Sequence, residues 1–140
     1  MSTGLDVFDT TLEKSNLILK EIERELGWEN RRNQSYLALR TVLHALRDRL
    51  PINDAVKFSA QLPILLKGIY FDGWSPADVP IRMDKEEFEQ YIAQTLLFDT
   101  KGGIETVIKI VFNSIFKDSN RAESDKIVSL LPDDVASLLR

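Results

Sequence analysis

Three side chains in one stretch have the types and spacing to do chemistry together: Arg40, His44 and Arg47. His44 is the only histidine. An imidazole titrates near neutrality, so it can act as a general acid or base. Asp48 follows four residues on, where a carboxylate can pair with an imidazolium on a helix. Arg40 and Arg47 lie two helical turns apart, roughly 10 Å along the axis. Guanidinium forks suit carboxylates and phosphates. The spacing therefore predicts a site for an acidic protein partner or an anionic ligand, tighter below about pH 6.5, where His44 gains charge. The competing reading is structural, with Asp48 and the acids of residues 84–89 neutralising the strip. Arg31, Arg32 and Arg49 add to the local arginine density, and Arg49 points away from the strip.

The surrounding sequence narrows that chemistry. No serine or cysteine nucleophile motif accompanies His44, and no glycine-rich phosphate loop accompanies the arginines. A single histidine and no cysteine leave no basis for a histidine-based or thiolate metal site. No cofactor and no catalytic residue is expected. Tyr70, Phe71 and Trp74 read as core and connector anchors. Asp84, Glu86, Glu87 and Glu89 read as an acidic helix start favoured by the helix dipole, without calcium-loop spacing.

The positions of these groups depend on helices. Thr10 and Glu13 fit a capping box, which opens a first helix over about 11–26, with Gly27 as its C-cap. Trp28 should tuck inward. A second helix over 33–50 carries Tyr36, Leu39, Leu43, Leu46 and Leu50 on one face, and Pro51 ends it. Asn53 is the expected N-cap of a third helix with Ala55, Val56, Ser59 and Leu62. Pro63 breaks it and opens a short helix over 63–71, because proline is costly in mid-helix and tolerated at a helix start. Residues 72–83 form a connector. A helix over 84–97 follows, with a capping pattern at Asp84 and Glu87. The segment 101–117, with Gly102 and Gly103 at its start, contains TVIKIVF, which locally suits a strand.

An internal repeat overrides that local signal. A shift of 69 carries Leu39, Val42, Leu43 and Leu46 onto Ile108, Val111, Phe112 and Ile115. It also carries Phe58 onto Ile127 and Leu62-Pro63 onto Leu131-Pro132. A shift of 70 carries Ile18, Ile22 and Leu26 onto Phe88, Ile92 and Leu96. The expected fold is all-α: a helical bundle of two tandem similar units, 10–71 and 84–140, joined by the connector 72–83. Each unit has three helices, the third broken at a Leu-Pro pair, and both share one core within a single domain. His44, Arg40 and Arg47 map to Asn113, Lys109 and Phe116, so the strip belongs to one unit only.

The motifs LHALRDRLP and AQLPILLKGIYFDGWSP, followed by VP, resemble the bacterial family known as domain of unknown function 2267. The resemblance runs from about Thr11 to the C-terminus and is most specific between Leu43 and Pro80. It implies a small, soluble, all-helical bacterial protein. It supplies no activity, cofactor or catalytic residues.

Composition fits one globular domain: 140 residues, 44% hydrophobic and 29% charged. The net charge is −4, which argues against general nucleic-acid binding. Residues 1–71 carry 10 Lys+Arg and 9 Asp+Glu, and residues 72–140 carry 8 and 13. No apolar run spans a bilayer, and the N-terminus lacks the pattern of a secretory signal. Absence of cysteine fits the cytoplasm. The expected function is a non-enzymatic protein-interaction or ligand-binding module, with a homo-oligomer compatible. The alternatives are a small-molecule enzyme using His44 and nearby arginines, and a nucleic-acid-associated protein.

Overall fold

Helix starts and stops set the architecture. The computed structural model describes residues 2–96 and 103–139. The first helix, α1, covers Asp6–Leu26, so it begins five residues before the expected start at 11. The Thr3 amide donates to Asp9 Oδ1 at 2.7 Å, and Asp6 and Asp9 supply negative charge to the first turn. Thr10 and Glu13 therefore lie inside the helix. Gly27 ends it at φ 69°, the left-handed geometry that glycine adopts without strain. The Gly27 and Trp28 amides both donate to the Glu23 carbonyl, and Trp28 is buried.

Helix α2 covers Arg32–Arg49. Pro51 serves as the cap of α3, Ile52–Ser59, so Asn53, the expected cap, is the second residue of the helix, two positions past the cap. The Leu62-Pro63 break is present. Pro63 takes an extended ψ of 153° at the cap of α4, Ile64–Phe71, one residue later than expected. A short 3-10 turn at Pro76–Asp78 lies within the connector. Helix α5 covers Lys85–Leu96. The Glu87 amide donates to Asp84 Oδ1 at 2.8 Å, and the Asp84 amide to Glu87 Oε1 at 3.4 Å, the reciprocal pair of a capping box. Helix α6 covers Gly103–Ile115, so TVIKIVF is helical. Leu97 and residues 101–102, expected at helix ends, lie outside the described residues. Helices α7, Arg121–Val128, and α8, Asp133–Leu139, flank the second Leu-Pro pair and start 69 positions after α3 and α4. Among the described residues there is no strand.

The buried faces form one continuous cluster drawn from both halves. Ile18, Ile22, Leu39, Val42, Leu43, Leu46, Phe88, Ile92, Val111 and Phe112 all belong to it, and Ile115 packs against it half-buried. Helix α1 packs on α6 and α2 on α5, with α2 and α6 also in contact. Two expected core positions face water. Tyr36 is the fifth residue of α2 and is exposed; Val56 is exposed on α3, where Ala55, Phe58 and Ser59 are the buried residues. Aromatic rings run in sequence from the connector through the first half of the chain into the second: Trp74, Phe71, Tyr70, Phe58, Phe116 and Phe112, with neighbouring centroids 4.8–5.8 Å apart.

Candidate functional site

Arg40, His44 and Arg47 do come together, and they converge on the C-terminal end of α4. A helix end leaves carbonyls without intrahelical donors and carries partial negative charge, so cations and N–H groups suit it. His44 Nε2 lies 2.7 Å from the Ile69 carbonyl. A carbonyl only accepts, so this nitrogen carries the proton. Arg47 Nη1 donates to the carbonyls of Tyr70 at 2.8 Å and Asp72 at 2.9 Å. Its Nε and Nη2 donate to Asp48 at 2.9 and 3.4 Å. Arg40 Nη1 lies 3.0 Å from Asp72 Oδ2.

Burial differs along the strip. Arg47 is 5% exposed, and its guanidinium has intrachain acceptors on every nitrogen. The Arg40 side chain is 33% exposed. His44 is half-buried, and that burial pushes its pKa below the ordinary imidazole value. The Ile69 hydrogen bond opposes the shift, and the positive charges of Arg47 and Arg40 add to it. Asp48, expected beside the imidazolium, is engaged by Arg47 instead. The neutralising acids are Asp48 and Asp72, and not those of residues 84–89.

The other arginines disperse. Arg32 Nε pairs with the buried Glu23 at 2.8 Å. Arg49 forms a two-pronged bond to Asp134, both distances 3.1 Å, and stacks over the Phe88 ring at 5.4 Å. That contact joins α2 to the second half. Tyr70 is fully buried, its hydroxyl donates to the Ala55 carbonyl at 2.9 Å, and burial raises its pKa.

A groove of about 710 Å³ lies elsewhere, between α1, the Leu62-Pro63 break and the end of α6. Leu17 projects into it 58% exposed. Lys14, Lys20, Arg24 and Lys117 edge it, together with the acids Glu21, Asp118 and Glu123. Glu21 pairs with Arg24 at 2.6 Å and Lys117 at 3.2 Å. The Arg24 hydrogen bond, seconded by Lys117, holds the Glu21 carboxyl below the usual carboxylate range. Leu17 and Lys20 also line a second hollow of about 520 Å³ toward the start of α1. The arginine strip drew attention away from this surface. Its signal is the same one: Lys14, Leu17 and Lys20 map to Asp84, Glu87 and Gln90 under the shift of 70.

A family model described as "Uncharacterized conserved protein (DUF2267)" matches residues 15–138. The chain belongs to this family. Among curated proteins no match was found. The DUF2267 match takes in the strip, both Leu-Pro breaks and most of the groove. The first turns of α1, with the exposed Val7 and Phe8, precede it. Among the described residues of this DUF2267 chain, no helix is long and apolar enough to cross a membrane.

Proposed function

We propose that this chain is a non-enzymatic, cytoplasmic binding module for a protein partner, built from two similar units. One observation carries the reading. The strip with the best chemical credentials is already satisfied by the end of α4, while the groove beside α1 combines an exposed leucine with a charged rim on which Lys14 and Lys20 have no ion pair among the described residues. An apolar feature rimmed by charge suits recognition. The strip then acts as a cap: Arg47, His44 and Arg40 lock α4 to α2, and the groove receives the partner. Duplication is supported by the matching starts of α3 with α7 and α4 with α8. The cross-unit contacts also reciprocate, α1 on α6 as α2 on α5.

Affinity capture from the source cell with mass spectrometry tests the reading. Wild type, an Arg40/His44/Arg47 triple alanine and a Lys14→Glu/Lys20→Glu variant are compared. The groove variant should fold and lose partners. The triple alanine should lose thermal stability. Absence of any specific partner with wild type would sink the proposal.

A further inference from the structure

We propose that the groove beside α1 receives an extended, apolar and acidic peptide segment of a partner protein, laid down as residues 79–83 of this chain lie on the end of α2. The inference rests on the binding-module reading and on the two-unit correspondence.

The corresponding place in the other unit is already filled. A shift of 69 relates Asp48 to Lys117, and a shift of 70 relates Lys14 and Leu17 to Asp84 and Glu87. At Asp48 the connector comes down onto α2, and the Ile81 amide donates to the Asp48 carbonyl at 2.7 Å. Met83 packs against the core beside it. Pro80 to Asp84, with Arg49 and Glu87, leave only a smaller hollow of about 440 Å³. The chain supplies its own guest there.

The groove at Lys117 has no such guest. Residues 9–13 correspond to the strap 79–83, but they are wound into α1 and run straight on. Among the described residues, no amide reaches the Lys117 carbonyl. An extended segment presents free N–H groups to such an acceptor, whereas a helix interior uses its own.

Charge sets the guest's composition. Of the host residues on the strap's own hollow, Asp84, Glu87 and Arg49 correspond to Lys14, Leu17 and Asp118 of the groove. Arg82 of the strap lines the same hollow as Asp84 and Glu87. Lys14 in place of Asp84 calls for an acid on the α1 side of the groove where the strap has Arg82, while Asp118 and Glu123 contribute negative charge from the residues after α6. Lys14 and Lys20 have no ion pair among the described residues, so both are available to it.

The test uses full-length protein labelled with nitrogen-15 and two blocked peptides copying residues 78–83. One is the native DVPIRM; the other carries Arg82→Glu, DVPIEM. The acidic peptide should shift amides within 14–24, 60–63 and 114–123, and bind at least threefold tighter than the native one. A folded Lys14→Glu/Lys20→Glu variant should reverse that preference. Equal affinities, shifts elsewhere or no shifts overturn the inference. So do shifts of the same amides by phosphatidylserine vesicles without a peptide response, which would mark a lipid surface. If partner capture persists while the peptide fails, only the extended guest is lost; if wild type captures nothing, the binding-module reading fails with it.

Discussion

His44 is held neutral by its neighbours. Half-burial disfavours the imidazolium, and Arg47 and Arg40 repel its charge against the pull of the Ile69 carbonyl and Asp48. Its folded pKa therefore lies below the unfolded value of about 6.5. The folded state binds fewer protons, so this residue's contribution is intact above pH 6.5 and is lost as pH falls through the folded value. Wild type should lose more thermal stability between pH 7.5 and 5.5 than His44→Gln, measured by circular dichroism melts. An equal loss in both would show that His44 does not titrate as argued. Arg47 carries a larger share of the same junction. Removing a buried cation leaves Asp48 and two carbonyls without donors, so Arg47→Ala should cost about 3 kcal/mol in urea unfolding. Arg47→Lys should recover only part, because an ammonium cannot span both the carboxylate and the two carbonyls. The spacing of 40, 44 and 47 placed these residues on one strip of a helix. It could not show that the strip faces the end of α4, some 25 positions along, since only tertiary packing brings that end near. Arg49 with Asp134 was hidden for the same reason.

Helices were legible where a buried stripe continued and illegible where it stopped. The start of α1 carries Leu5, Val7 and Phe8 into solvent, so the core periodicity that marks 18, 22 and 26 fades before the helix does. Segment 103–115 misleads in the opposite way. Its β-branched residues favour a strand locally, yet helical contacts with α1, α2 and α8 decide. Only the comparison with 33–50 made that readable. Terminal chemistry yields two contrasting substitutions. Gly27 sits at φ 69°, so Gly27→Ala should cost about 1–2 kcal/mol. Pro63 stands outside α4 at its cap, where no helix bond is missing, so Pro63→Ala should change stability by no more than about 1 kcal/mol. Chemical denaturation measures both. A larger effect at Pro63 would mean that the residue does more than stop α3.

The molecule as a whole depends on contacts between its halves. Helix α1 rests on α6 and α2 on α5, and Arg49 clasps Asp134 over Phe88. Leu46 is fully buried within the shared cluster. Leu46→Ala should cost about 2–5 kcal/mol, since truncation loses burial and leaves a cavity. Residues 1–75 expressed alone would expose the faces that α5 and α6 cover. That fragment should show no cooperative melt by circular dichroism, and a sharp one would make the halves independent.

The placement of the indoles gives a handle on that cooperativity. Trp28 and Trp74 are the only tryptophans, and both belong to the first half and its connector. Trp28 is nearly sealed and Trp74 closes the line of rings that crosses to Phe112. Intrinsic emission therefore watches one half of the molecule, while far-ultraviolet ellipticity weighs the helices of both halves. The two signals act as spatially separate clocks on one event. If they trace the same denaturation curve, the halves melt as one body; if emission lags or leads, the optical mismatch itself maps which half lets go first.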